Sequence, residues 1–163
     1  MEQNGMYLEI ASEDVQNDPE IVLAAVKKTG MALKYASKNL RNNKAIVLAA
    51  IKNDSKQIYP NVYAFASLEL QKDKTVYATA VKQYGAEIFK WAPKELQDDE
   101  KIVLRAVQED GMLLKYASNR LRDNKNVVLT AITNNGDSLK FASERLRSNP
   151  DIVLAALKPH DYT

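Results

Sequence analysis

The side chains best suited to binding chemistry in this sequence are basic ones that recur at nearly regular spacing. A lysine stands directly before an aromatic residue in four places, and an arginine ends the segment A-S-x-x-L-R in three others. Equivalent positions of stacked repeats line up, so these residues are expected to form rows along one face. The candidate basic stripe comprises Lys34, Lys90, Lys115, Lys140, Arg41, Arg122 and Arg147.

Two interpretations of this stripe remain open. Rows of lysine and arginine can follow the phosphates of a nucleic acid or bind another anionic ligand. The alternative is a solvated face on which the lysine stems cover the apolar core. The aromatic residues fall in the apolar phase of their helices, and acids are nearly as numerous as bases. The sequence therefore favours the solvated face.

Residues that could catalyse a reaction are few. The single histidine, His160, lies in the terminal segment KPHDYT, and a general base needs a partner and an orienting group. Cysteine is absent, which excludes thiolate nucleophiles and thiolate metal sites. Asp98, Asp99 and Glu100 form an acidic cluster, but acids in a first turn stabilise a helix through its dipole. We expect no enzymatic activity, no cofactor and no metal site.

The composition is typical of a soluble globular protein. The 163 residues are 45% apolar and 27% charged, and the net charge is 23 − 21 = +2, too small to require a nucleic-acid or membrane partner. No apolar run approaches the roughly 18 residues of a membrane helix. The N-terminal stretch MEQNGMYLEI lacks the basic and apolar blocks of a signal peptide. We expect a cytoplasmic protein without a membrane span.

Internal repeats of about 25 residues account for nearly the whole chain. The copies align on the aliphatic residue that opens each V-L-x-A-type run, with spacings of 25, 30, 26, 25 and 25 residues. A half-unit, GMYLEIASEDVQND, precedes the first full copy. Such a period indicates a helical repeat architecture. The aligned residues are Ile21, Ile46, Val76, Ile102, Val127 and Ile152.

Each repeat is predicted to contain two helices. Three residues before every aligned position stands an Asp or Asn, the side chains that accept hydrogen bonds from free amides at a helix start. A glycine nine residues after the aligned position predicts a left-handed C-cap in four repeats, and Gly5 holds the same place in the half-unit. The second helix then follows. The predicted N-caps are Asp18, Asn43, Asp73, Asp99, Asn124 and Asn149. The predicted C-caps are Gly5, Gly30, Gly85, Gly111 and Gly136.

A break is expected within the second helix. Its segment carries a recurrent serine, which favours caps over helix interiors, and in one copy Pro93 replaces that serine. Proline is harmful inside a helix but tolerated in its first turn. Both residues predict a short helical turn after this position, in preference to one continuous helix.

The repeated pattern G-x-x-L-x-[aromatic]-A-S-x-x-L-R-x-[DN]-x-x-[IV]-V-L-x-A-[VI] resembles a helical repeat domain of unknown function. The resemblance covers about residues 5–157. That family is reported mainly in effectors of intracellular bacteria and in protists. The resemblance implies a helical repeat fold and an accessory position in a larger protein, located in the host cytosol if that protein is a secreted effector. It carries no catalytic residues to transfer.

An insertion interrupts the second repeat. Five residues are added between Ile51 and Phe65, within KNDSKQIYPNVYAFASLEL. Insertions in repeat arrays map to loops on one face, often the binding face, and tyrosine is enriched at interfaces. The alternative is a local repair that buries the tyrosines. If the insertion protrudes, its candidate partner-binding residues are Lys56, Gln57, Tyr59 and Tyr63.

The predicted fold is all-α, a tandem array of two-helix repeats that is either solenoid-like or a compact bundle. We expect one domain over residues 5–158 and a tail over 159–163. The half-unit spans 5–17, and repeat units open near 18, 43, 73, 99, 124 and 149. Apolar faces at the array ends make self-association one expectation. The predicted function is a non-catalytic protein-interaction or scaffold module, with binding of nucleic acid or another anion as the alternative.

Overall fold

The computed structural model describes residues 6–55 and 61–157, and these residues form helices and turns without a β-strand. The predicted all-α repeat array is therefore confirmed. Each full repeat contains a long α-helix, a 3-10 helix and a short α-helix, in that order. The α-helices are α1 (Glu13–Gln16), α2 (Pro19–Lys28), α3 (Lys38–Arg41), α4 (Lys44–Lys52), α5 (Leu68–Lys72), α6 (Lys74–Tyr84), α7 (Lys94–Gln97), α8 (Glu100–Glu109), α9 (Asn119–Arg122), α10 (Lys125–Asn134), α11 (Glu144–Arg147) and α12 (Pro150–Ala156).

The long helices begin where the Asp and Asn side chains predict. In each of the six described cases, one side-chain oxygen accepts hydrogen bonds from two backbone N–H groups of the first turn, at 2.9–3.3 Å. These bonds satisfy amides that have no partner within the helix. Pro19 and Pro150 stand in the first turn, where a missing N–H costs nothing.

The segment after each long helix is a 3-10 helix rather than an α-helix. It ends at the aromatic residue, and the next residue, an alanine, is extended, as in Ala36 (φ −69°, ψ 151°). The predicted break in the second helix is therefore confirmed. The 3-10 helices are Met6–Ile10, Gly30–Tyr35, Val62–Phe65, Ala86–Trp91, Gly111–Tyr116 and Gly136–Phe141.

Each short helix begins at the recurrent serine. The hydroxyl oxygens of Ser37, Ser67, Ser118 and Ser143 accept a hydrogen bond from the backbone N–H three residues later, at 3.2–3.3 Å. Pro93 occupies the same N-cap position with an extended backbone (φ −56°, ψ 156°). A serine and a proline thus serve the same turn, because both tolerate the conformation that precedes a helix.

The chain divides into two compact units, Met1–Ile88 and Phe89–Thr163, whereas the repeat pattern predicts one domain. In the first unit, α2, α4 and α6 pack side by side, and in the second α8, α10 and α12 do so. The apolar residues of these helices form the core of each unit; Val22 and Val26 of α2, for example, are completely buried. Pro93, which lacks an N–H, lies close to the division in sequence.

Gly30 and Gly111 serve close packing rather than helix capping. Within the described residues only Gly85 has a positive φ (78°), and it is the C-cap of α6, as predicted. The left-handed C-cap prediction is wrong for Gly30, Gly111 and Gly136, and Gly5 lies outside the described residues. A Cβ atom added to Gly111 would lie 2.2 Å from the backbone oxygen of Ala131, in the next long helix. Gly30 has the same relation to the oxygen of Ala50. The absent side chain lets the next repeat approach.

Replacing Gly111 by Ala should destabilise the protein by about 3 kcal/mol, because the added methyl meets rigid backbone rather than a flexible side chain. Gly85→Ala is the matched comparison. It has open space but a positive φ, and it should lose about 1–2 kcal/mol. Urea unfolding monitored by circular dichroism measures both losses. A neutral Gly111→Ala variant would contradict the close approach of Ala131.

Candidate interaction surfaces

Successive repeats are joined by a backbone hydrogen bond from the capping serine. Its N–H donates to the carbonyl at the end of the preceding short helix, and the four described bonds all measure 2.9 Å. Two lie in the first unit and two in the second. The donor and acceptor pairs are Ser37 with Gln16, Ser67 with Arg41, Ser118 with Gln97, and Ser143 with Arg122.

The same serines bind the preceding repeat through their side chains. Each hydroxyl donates to the Asp or Asn that follows the preceding short helix. The Ser37–Asn17 bond measures 2.7 Å. Proline has neither an N–H nor a hydroxyl, so residue 93 can make neither of these bonds. The acceptor residues are Asn17, Asn42, Asp98 and Asp123.

Arginines reinforce the acceptors of the second unit. Arg120 donates from Nε to the Asp98 carboxylate at 3.0 Å, and Arg145 donates likewise to Asp123 at 3.1 Å. The pKa of Asp98 is lowered mainly by the hydrogen bond from Ser118 and, to a smaller extent, by the hydrogen bond from Arg120. Ser143 and then Arg145 lower the pKa of Asp123 in the same way. Asp98 therefore joins repeats.

The other acidic residues of the sequence cluster also have structural roles. Asp99 is the N-cap of α8, and Glu100 lies in the first turn of that helix. The sequence predicts such roles because negative charge is stabilised near a helix N-terminus.

The arginine part of the predicted basic stripe is largely committed to the fold. Arg122 Nε donates to the backbone oxygen of Phe141 in the next repeat, at 2.5 Å. Arg41 is half-buried, and its Nε is buried without a hydrogen-bond partner among the described residues. Only Arg147 of the three is exposed. The structure therefore does not place all three arginines on one exposed row, because Arg122 bonds the next repeat and Nε of Arg41 is buried.

The lysine part of the stripe lies on the aromatic residues. In the second unit, the ammonium groups of Lys115 and Lys140 lie 4.8 Å and 5.2 Å from the ring centroids of Tyr116 and Phe141. Lys90 lies 5.9 Å from Trp91. In the first unit, Lys34 lies 5.4 Å from Tyr35. These distances are those of cation–π pairs.

The aromatic rings of these pairs are half-exposed. The sequence places them in the core, but Tyr35, Phe65, Trp91, Tyr116 and Phe141 are all intermediate in burial. In the 3-10 helix that carries Tyr116, the buried residues are instead Gly111, Leu113 and Leu114. Lys34, Lys115 and Lys140 are exposed, and Lys90 is half-buried. A lysine and a ring therefore share the surface in each pair.

Lys115 and Lys140 differ from Arg120 and Arg145 in their partners. Both arginines pair with carboxylates, whereas no carboxylate in the described part of the chain forms an ion pair with either lysine. Each ammonium group lies beside one aromatic ring, and no carboxylate of the described residues neutralises its charge.

The insertion does not present Tyr63 to a partner. Tyr63 is fully buried, its hydroxyl donates to the backbone oxygen of Gln71, and its ring meets Tyr77 edge to face at 6.1 Å. Burial raises the pKa of Tyr63 far above its ordinary value. Of the two interpretations of the insertion, burial is therefore correct for Tyr63, whose ring fills the core beside α5 and α6, and Tyr63 is not a partner-binding residue. Lys56, Gln57 and Tyr59 lie outside the described residues.

A buried polar cluster, which the sequence analysis missed, stands where the insertion leaves and rejoins the repeat. The Tyr84 hydroxyl donates to the Asp54 carboxylate at 2.6 Å and accepts from the Val62 N–H at 3.3 Å. Gln83 donates to the Asp54 backbone oxygen at 2.7 Å. Burial raises the pKa of both Asp54 and Tyr84. This cluster fixes both ends of the inserted segment.

No group of three or more His, Cys, Asp or Glu residues in ranges 6–55 and 61–157 is arranged to hold a metal ion. Within the same ranges, every helix is too short or too polar to cross a bilayer. His160 lies outside the described residues.

Comparison with known families identifies the repeat. Five stretches of the chain match the model of a domain of unknown function, DUF4116: residues 1–41, 19–59, 57–97, 99–147 and 124–160. The chain belongs to this family. No curated protein and no solved structure matches the chain.

The carboxylates of the DUF4116 junctions should make stability depend on pH. Asp98 and Asp123 have lowered pKa values when folded, so their contribution is present above the ordinary Asp pKa of 3.8 and is lost as the pH falls through the lower, folded value. The double variant Asp98→Asn/Asp123→Asn should be less stable than the natural protein at pH 7 and equally stable near pH 2. Urea midpoints across this range measure the gap, and a gap independent of pH would contradict the assignment.

Burial of Tyr63 predicts a large effect on stability. Tyr63→Ala should cost about 3–5 kcal/mol, and Tyr63→Phe, which removes only the hydrogen bond to Gln71, about 1 kcal/mol. Tyr116→Ala is the control, and because its ring is half-exposed it should cost less than Tyr63→Ala. Thermal and chemical unfolding measure these losses. Equal losses at the two tyrosines would contradict the difference in burial.

Proposed function

We propose that this DUF4116 chain is a non-catalytic protein-interaction module whose second unit binds acidic segments of partner proteins. The observation that carries the proposal is the repeated lysine–aromatic pair, in which a half-exposed ring lies beside a cation. Aromatic residues are enriched at protein interfaces. A carboxylate of the partner would pair with the ammonium group, and apolar side chains would contact the ring edge.

The regular spacing of the pairs supports an extended ligand. Lys90, Lys115 and Lys140 recur once per repeat, and repeat arrays use such columns to bind along their length. Lys115 and Lys140 form no ion pair with a carboxylate of the described residues. Binding a carboxylate of a partner protein would therefore break no ion pair within those residues. An acidic segment with apolar residues between its acids complements this column.

A nucleic acid is the second candidate ligand. The half-exposed rings favour it, because single strands are bound by stacking bases on aromatic side chains beside basic residues. Against it, Lys90, Lys115 and Lys140 each lie over the neighbouring ring and would compete with a base for that position. In addition, Arg122 Nε donates a hydrogen bond to the backbone oxygen of Phe141, so this group is not free to bind a phosphate. The protein ligand is therefore preferred.

The resemblance drawn from the sequence suggests a setting for this module. We propose that it acts in the cytoplasm as an accessory domain of an effector-like protein. The absence of cysteine suits a reducing compartment.

The lysines can be tested by removing their charge and keeping their length. Lys115→Met/Lys140→Met retains an apolar stem over each ring, and Lys101→Met/Lys125→Met removes two other exposed charges of the same unit. Fluorescence anisotropy measures binding to a labelled peptide of alternating glutamate and leucine. We expect the first variant to weaken binding about tenfold, the scale of 1.4 kcal/mol, and the control to change it by less than about twofold.

Three results would count against the proposal. If both variants weaken binding equally, net charge rather than the column attracts the peptide. If the natural protein does not bind the peptide at all, the acidic-segment ligand is wrong. If labelled oligothymidylate binds more tightly than the peptide and loses affinity only in the first variant, the nucleic-acid candidate replaces the protein ligand.

A further inference from the structure

Exposed apolar side chains are concentrated at two faces. Six large apolar residues are exposed in the described ranges. Three of them lie in or before α2, and two lie in or directly after α12. The exception is Leu68 in α5. The five residues are Tyr7, Ile10, Ile21, Leu154 and Leu157.

The first face is the side of α2 and of the preceding half-unit that lies away from α4. Ile21 is 44% exposed, whereas the equivalent Ile46 and Val76 of the same unit are 3% and 0% exposed. The difference arises because α2 packs against α4, and α4 against α6. Beside Ile21 is an open cleft of about 280 Å³, lined mainly by apolar residues including Tyr7 and Val15. We call this surface the leading face.

The second face is the side of α12 away from α10. Leu154 is 61% exposed, whereas Leu129, at the same position of the preceding repeat, is half-buried. Leu157 is 74% exposed. A further long helix beside α12 would cover both residues, as α12 itself packs against α10. We call this surface the trailing face.

Within each unit, a capping serine donates its N–H to the carbonyl at the end of the preceding short helix. The leading face carries a donor position of this kind, and the trailing face carries an acceptor position. Ser12, on the leading face, occupies the donor position, but neither its N–H nor its hydroxyl has a partner among the described residues. Arg147, on the trailing face, occupies the position of the accepting carbonyl, and its oxygen is equally unpaired within those residues. Four equivalent pairs elsewhere in the chain are bonded at 2.9 Å.

The neighbouring side chains of the two faces also match. Ser148 stands at the position of Asp123, and Asp14 at the position of Arg145. At the junctions within the units these positions form hydrogen bonds, either from Arg145 to Asp123 or from Asn42 to Glu69. A serine hydroxyl opposite an aspartate supplies a donor and an acceptor in the same way.

We propose that copies of this chain associate head to tail, with the trailing face of one copy on the leading face of the next. In this contact α12 packs beside α2, and Ser12 donates its N–H to the Arg147 carbonyl. A second copy is the occupant that supplies both the apolar helix and the matching hydrogen-bonding groups. Because the two faces differ, the contact is heterologous and each copy keeps one face free. The assembly therefore grows with concentration.

Two single-face variants test the proposal. Ile21→Glu places a charge on the leading face, and Leu154→Glu places one on the trailing face; both positions are exposed, so the fold should tolerate them. Leu68→Glu, 71% exposed and on neither face, is the control. Circular dichroism and thermal melts verify folding, and sedimentation velocity over a concentration series measures association.

Head-to-tail association predicts a specific pattern of masses. The natural protein and Leu68→Glu should show a mass that rises with concentration, and each single-face variant alone should remain at 18.3 kDa. An equimolar mixture of Ile21→Glu and Leu154→Glu retains one intact face on each chain, and it should form a species of twice the monomer mass.

Other patterns would overturn the proposal. A natural protein that stays monomeric at all concentrations means that another segment covers these faces. If only one of the two variants abolishes association, a symmetric contact through a single face replaces the head-to-tail one. If the mixture of folded variants stays monomeric while the natural protein associates, the two faces do not bind each other.

Discussion

The arrangement of the repeats depends on the recurrent serine that caps the short helices. Its N–H bonds the preceding short helix, its hydroxyl donates to an Asp or Asn there, and its oxygen accepts from the first turn of its own short helix. A hydroxyl can do this because it has one donor and two acceptor sites. The same residue therefore starts a helix and fixes the register of that helix against its neighbour.

The position of the lysine–aromatic pairs follows from the 3-10 helix that leads to this serine. A 3-10 helix has three residues per turn, so Gly111 and Leu114 fall on one side, and both are buried. Tyr116, two residues later, lies off that side and is half-exposed, with the Lys115 ammonium group 4.8 Å from its ring centroid. The local helix type thus leaves this ring at the edge of the core.

Local sequence signals predicted the fold, and contacts between distant residues accounted for what they missed. The Asp and Asn caps, the serine break and the repeat length could be read from neighbours within one turn. The role of Gly111 could not be read in this way, because the atom that leaves no room for a side chain there is the backbone oxygen of Ala131 in the next repeat. The burial of Tyr63 could not be predicted either, because the insertion interrupts the repeat pattern beside it. The bond between Asp54 and Tyr84 joins residues thirty positions apart and leaves no pattern in the sequence.

The chain contains one tryptophan, Trp91, and it belongs to the lysine–aromatic column of the second unit. Its ring is half-buried, with the Lys90 ammonium group 5.9 Å from its centroid. Indole emission responds to nearby charge and to the loss of solvent. The protein therefore contains an intrinsic fluorophore at one member of the proposed binding column, and occupation of that surface can be followed by emission without a label.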